Sequence, residues 1–224
     1  MGRIARIVAV GYPHHVTQRG NNRADVFFSA ADRKYYLTVL ARYCEEFKLR
    51  VWAYCLMRNH VHIVAVPEKT YSLAQGVGRT NLIYTQRVNL KYRRTGRLWR
   101  NRFFSAPVDS DEYLWAVCRY VENNPVRAHL VEHAWDYHWS SARHHVKSAP
   151  DILIGKSPWL KPSQREEYRR YLDERGKREE ADRIRQTVQT GRPFGSPDFI
   201  DRLERKLGRL LRPKRRGPRP KARR

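Results

Sequence analysis

Two almost uninterrupted apolar runs, Leu49–Met57 and His60–Val66, are separated only by Arg58 and Asn59. Two residues suffice for nothing but a tight turn, so the runs are expected side by side as antiparallel, buried strands. Strand side chains alternate between faces, so His60 and His62 must emerge on the same one. Two imidazoles fixed next to each other are a ready pair of ligands for a divalent metal. Val64 and Val66 continue that face as apolar surface. Burying two polar rings there without partners would cost several kcal/mol, and a cation shared at one end of the sheet removes that penalty. Two protein nitrogens leave the metal coordinatively open, as catalysis requires. The plainer alternative is a pair of core histidines satisfied by ordinary hydrogen bonds.

Charge narrows the partner. The chain of 224 residues carries 46 Lys and Arg against 22 Asp and Glu, a formal net charge of +24. That excess points to a polyanion, and to nucleic acid over a membrane surface, because no apolar span or amphipathic anchor stands out. Cys44, Cys55 and Cys118 are odd in number and show no C-x-x-C spacing, so buried free thiols are expected. No signal peptide is recognisable after Met1, which predicts a cytoplasmic, nucleoid-associated protein.

The rest of the chain alternates between strand and helix patterns. His15–Arg19 reads as a strand followed by a turn at Gly20–Arg23. Ser29 caps a helix to about Phe47, and a long helix is expected from Tyr71 to about Arg94, with Gly76 and Gly78 unfavourable near its start. Leu98–Phe104 is expected as a strand, and Asp109–Glu112 as the cap of a helix whose buried stripe is Leu114, Val117, Cys118 and Val121. This order predicts an α+β fold: an antiparallel sheet with helices packed on one face. The expected organisation is a catalytic domain over 1–148, a helical region over 149–211 with helices at Ser163–Asp173 and Pro197–Leu211, and a basic tail over 212–224. The tail holds eight Lys or Arg, three Pro and no acid, and should be disordered alone and bind phosphates.

On the helix after Asp109, Tyr120 lies off the apolar stripe and shares a face with Asn124, one turn away. Such a tyrosine can reach a ligand; it can equally be a half-buried aromatic, with Asn124 a cap before Pro125. Arg119-Tyr120-Val-Glu-Asn-Asn124-Pro-Val-Arg127-Ala, together with Asn59-His60-Val61-His62, resembles the single-tyrosine HUH transposases of the IS200/IS605 type, and most of all their REP-associated tyrosine transposase branch. Three further stretches agree: His15-Val-Thr-Gln-Arg-Gly-Asn-Asn-Arg23, Gly96-Arg-Leu-Trp-Arg-Asn-Arg-Phe103 and Thr190-Gly-Arg-Pro-Phe-Gly-Ser196.

The resemblance implies a ferredoxin-like HUH fold in which His60, His62 and Asn124 hold Mg²⁺ or Mn²⁺ and Tyr120 is the nucleophile. Attack on single-stranded or hairpin DNA would give a 5′-phosphotyrosine intermediate, and rejoining would need no nucleotide cofactor. Candidate DNA contacts are Arg19, Arg23, Arg79, Arg87, Lys91, Arg100, Arg102 and Arg127. Glu122 is expected as a solvated helix residue, and His14, His15, His129 and His133 as structural or DNA-proximal. The relatives that exchange their tyrosine helix are dimers; the added C-terminal region favours a monomer over a homodimer here. Two rivals remain: a relaxase-type nicking enzyme, and a non-catalytic DNA or RNA hairpin-binding protein whose sheet would carry exposed aromatic platforms.

Overall fold

A computed structural model describes residues 6–110, 112–155, 159–174, 176 and 178–212. Strands β1 (His14–Arg19), β2 (Leu49–Met57), β3 (His60–Pro67) and β4 (Phe104–Pro107) form one antiparallel sheet in the order β2-β3-β1-β4. Helices α1 (Ala30–Glu46) and α2 (Ser72–Lys91) connect them, giving the β-α-β-β-α-β order of a ferredoxin-like unit. There follow α3 (Glu112–Glu122), α4 (Asn124–Arg127), α5 (Ala142–Lys147), α6 (Arg165–Asp173), α7 (Arg178–Thr190) and α8 (Pro197–Leu207). Among the described residues no helix is long and apolar enough to cross a membrane. Residue 111, within the cap expected over Asp109–Glu112, and the tail from 213 lie outside the described residues.

The predicted hairpin is present, with Met57 opposite His60 and Cys55 opposite His62. A bulge between Val51 and Ala53 changes which side of β2 faces which layer. Val51 therefore joins Tyr54, Leu56, Val61, Ile63 and Ala65 under α1 and α2, whereas Ala53, Cys55 and Val64 face the other way. Ser29 caps α1 as expected, its hydroxyl accepting from the Asp32 amide at 3.2 Å. Gly76, unfavourable by helix propensity, is needed for packing: a Cβ there would stand 2.9 Å from Leu49 Cδ2. All three cysteines are buried and free.

Two expectations are corrected. Helices cover both faces of the sheet rather than one: the second face is buried by α3, Trp135 and residues Tyr168, Leu172 and Ile184 of α6 and α7. Helices from the region after residue 149 thus share a core with the sheet. The segment Leu98–Phe103 is a loop, and β4 starts only at Phe104. Trp99 makes a single bridge to Gly20, and the Gln18 side chain then takes Asn101 O at 2.8 Å, where a ladder bond would otherwise continue. Trp99 and Phe103 still turn into the core while Arg100 and Arg102 stay exposed, which is why the stretch mimics a strand in sequence.

His14 begins β1 on the α1/α2 side and is fully buried. Its Nε2 accepts from the Ala9 amide at 3.1 Å and its Nδ1 donates to Tyr12 O at 2.8 Å, which only the neutral ring can do. Burial pushes its pKa down to about 4 from 6.5. The unfolded chain therefore takes up a proton that the folded one refuses, and stability present above pH 6.5 is lost as pH falls toward 4. A shift of this size corresponds to about 3 kcal/mol. Urea unfolding at pH 7.5, 5.5 and 4.5 should show that decline, with a shallower slope in His14→Gln; equal slopes would contradict the role given to His14.

Candidate active site at the polar end of the sheet

At one end of the second face the apolar packing stops and imidazoles take over. His60 and His62 lie edge to face with ring centroids 5.1 Å apart. His60 Nδ1 is 2.6 Å from Asn59 Oδ1 and donates to it, which directs the Nε2 lone pair into the site. His15 arrives from β1, which pairs with β3 so that Thr17 stands opposite His62. Its ring stacks on His62 at 5.1 Å, and its Nε2 is 2.9 Å from His62 Nδ1. The other ring nitrogen, His15 Nδ1, is buried without a hydrogen-bond partner.

These rings are neutral. Burial lowers the pKa of His15 to about 3, with Arg127 adding to the effect. Burial, followed by Arg19, lowers that of His60 to about 4. His62 is held well below its ordinary value by burial and then by His15 and His60. Neutral imidazoles keep lone pairs for a cation across the physiological range.

The tyrosine helix closes over the rings. Tyr120 is buried, with its ring 5.7 Å from both His15 and His62, edge-on to each. Asn124 donates its Nδ2 to Tyr120 O at 3.1 Å and Val121 O at 2.9 Å, and it lines the same cavity as His60 and His62. Arg127 stacks on Tyr120 with Cζ 4.3 Å from the ring centroid and donates to Tyr120 O at 2.7 Å. Arg185 of α7 stands on the same tyrosine at 5.9 Å. The resulting cavity of about 730 Å³ is also lined by Arg19, Arg100 and Arg102.

Among the described residues no three of His, Cys, Asp or Glu converge as a metal site. The donor set here reaches three only by counting the Asn124 oxygen. Two imidazole nitrogens and one neutral oxygen suit a divalent cation that can complete its shell with phosphate oxygens, Mn²⁺ more readily than the strictly oxygen-seeking Mg²⁺.

The other sequence candidates are distributed unevenly. Arg23 is exposed on the turn after β1, its carbonyl accepting from Asn59 Nδ2 at 2.9 Å. Arg79, Arg87 and Lys91 belong to α2, on the opposite side of the sheet from the cavity. Arg79 and Arg87 lie over the Phe47 and Tyr35 rings, and Lys91 pairs with Asp32 at 2.6 Å. Sequence reasoning misses two members of the site. His15 looks incidental because its neighbour is also a histidine, although β1–β3 pairing aims it at His62. Arg185 lies on a helix that the sequence reading does not pick out, although Ala181, Ile184 and Val188 carry its spacing.

Glu122 also departs from expectation, being fully buried instead of solvated. Its Oε1 accepts from Ser141 Oγ and from His145 Nδ1 at 2.6 Å, and its Oε2 from the Tyr168 hydroxyl at 2.8 Å. The carboxylate thereby ties the tyrosine helix to α5 and α6.

This topology, with a histidine pair on β3 and a tyrosine helix across it, defines a ferredoxin-like α+β protein. Residues 9–124 match the family profile described as Transposase IS200 like, and the chain belongs to that family. It is similar to a Haemophilus influenzae protein bearing the name of a REP-associated tyrosine transposase, 26% identical over 116 residues. That match covers 47% of this chain and 65% of the relative. In fold it is similar to the solved structure of a REP-associated tyrosine transposase bound to a REP hairpin, with TM-score 0.55 and 15% identity, covering 70% of this chain and 93% of that one.

Glu122→Leu leaves His145 Nδ1 and the Tyr168 hydroxyl without their acceptor, each worth about 1–3 kcal/mol, while Ser141 Oγ keeps Tyr54 O at 3.3 Å. The variant should lose on the order of 3 kcal/mol or more in urea unfolding, and Tyr168→Phe about 1 kcal/mol. A neutral Glu122→Leu would show that the carboxylate does not anchor the helix.

Proposed function

We propose that this transposase-family protein cleaves and rejoins single-stranded DNA at a hairpin through a covalent bond to Tyr120. The observation that carries the reading is the meeting of Tyr120 with His60, His62 and Asn124 at one end of the sheet. A net charge of +24, and the REP hairpin bound by the structural relative, support hairpin DNA as the substrate.

Arg19, Arg100 and Arg102 line the cavity and bind backbone phosphates, bringing the scissile phosphorus beneath the tyrosine. The Tyr120 oxygen attacks that phosphorus and the bond to the 3′-oxygen breaks. The phenolic proton passes to solvent, and the leaving 3′-oxygen takes one up as a hydroxyl. The product is a 5′-phosphotyrosine, which a 3′-hydroxyl reverses by the same route, so no nucleotide cofactor is consumed. His60, His62 and Asn124 would hold Mg²⁺ or Mn²⁺, which supplies Lewis-acid polarisation of the phosphate. Arg127 orients Tyr120 through its backbone oxygen and ring. Because one chain brings Tyr120 to its own histidine pair, the protein acts as a monomer in this reading.

Incubating the protein with single-stranded hairpin DNA and Mn²⁺ should yield a denaturation-resistant protein–DNA adduct that is lost in Tyr120→Phe. An adduct that persists in this variant would remove Tyr120 from the mechanism. EDTA should lower cleavage by about 100-fold or more, as expected when an electrophilic metal is withdrawn, and leave hairpin binding within about threefold. Cleavage that survives EDTA contradicts the metal role; an absence of cleavage alongside tight binding would favour the non-catalytic hairpin binder.

A further inference from the structure

Helix α7 lies in the C-terminal region, to which the reading above gives no part in the chemistry. It is firmly seated. Ile184 and Val188 are buried on its inner side. Arg119, the residue immediately before Tyr120, is itself buried and reaches out to Glu180 Oε2 at 2.7 Å, while its guanidinium stacks on Tyr171 at 3.8 Å. Neighbouring residues of one helix therefore grip α7 and present the tyrosine to it.

Arg185 is the α7 side chain that meets Tyr120. Its guanidinium carbon stands 5.9 Å from the tyrosine ring centroid, and its Nη1 is steadied by donating to Asp182 Oδ1 at 2.6 Å. The two arginines at Tyr120 divide their contacts. Arg127 is committed to the Tyr120 backbone oxygen and the ring face. Arg185 has no bond to that backbone oxygen; its Cζ lies 5.9 Å from the ring centroid, and it lines the same cavity as Tyr120, His60 and His62. A guanidinium stays protonated and cannot act as a base, but it can meet negative charge where it develops. Partial burial opposes the charge on Arg185, yet Tyr120 and Asp182 outweigh burial and raise its pKa.

We infer that Arg185 is a catalytic residue, donating to the Tyr120 oxygen and balancing the charge that grows there during attack and again when the phenolate leaves on rejoining. The inference rests on Tyr120 being the nucleophile. No proton moves to or from Arg185; it acts by hydrogen bonding and charge alone. It also makes α7 part of the active site.

The test uses the full chain with hairpin DNA and Mn²⁺. Arg185 is half exposed, with about half its side-chain surface open to solvent, so Arg185→Ala should fold. Cleavage and rejoining should both slow by about 100-fold, the scale of losing one preorganised charge donor. Hairpin affinity in EDTA and the melting temperature should be unchanged. Methylguanidine should restore part of the rate, and an equal concentration of sodium chloride should not. Cleavage within about threefold of the parent protein would overturn the inference, as would a rate loss that matches a loss of hairpin affinity, which would make Arg185 a DNA contact. A parallel Tyr120→Phe arm separates the two claims: an adduct formed without the phenol overturns the nucleophile assignment and Arg185 with it, whereas loss of the adduct there with full activity in Arg185→Ala overturns Arg185 alone.

Discussion

The way α3 lies across the histidine face of the sheet determines everything at the site. Its apolar stripe, Leu114, Val117, Cys118 and Val121, packs against Ala53, Cys55 and Val64. That burial sets the distance of the helix from the sheet but not its rotation. Rotation is fixed by polar contacts at its end: Glu122 holds three donors from α5 and α6, and Asn124 turns back to the carbonyls of Tyr120 and Val121. Tyr120, between these restraints, has one place to go, above His15 and His62. Hydrophobic burial supplies most of the adhesion and buried hydrogen bonds supply the register.

The electrostatic design is the reverse of what the overall charge suggests. Although the chain is strongly basic, the innermost layer of the site is neutral, because burial keeps His15, His60 and His62 unprotonated. The cations stand one layer out: Arg127 and Arg185 at the tyrosine, with Arg19, Arg100 and Arg102 around the cavity. A polyanion is drawn to the rim, while the lone pairs at the floor stay available for a metal that would be repelled by protonated imidazoles. The His15–His62 contact adds a second layer of support of the kind that orients a ligating imidazole.

What can be read from sequence follows short-range rules. Strand alternation places His60 and His62 together, helical spacing places Tyr120 with Asn124, and the two-residue link fixes the hairpin. The missed features depend on contacts between elements far apart in the chain. Glu122 looks solvated until Ser141, His145 and Tyr168 are brought to it. His15 joins the site only through the register of β1 on β3. Trp99 and Phe103 alternate with Arg100 and Arg102 as in a strand, yet their loop departs after one bridge. Helix α7 is polar on three sides, and its few apolar positions acquire meaning only because the second face of the sheet needs covering.

Cleavage in this reading depends on a cation held by His60, His62 and Asn124 within reach of the Tyr120 hydroxyl. Anomalous diffraction from crystals soaked in Mn²⁺ addresses that directly. It should place a peak at coordination distance from both imidazoles and the Asn124 oxygen, and lose it in His60→Ala/His62→Ala. A peak elsewhere with those side chains uncoordinated would contradict the account.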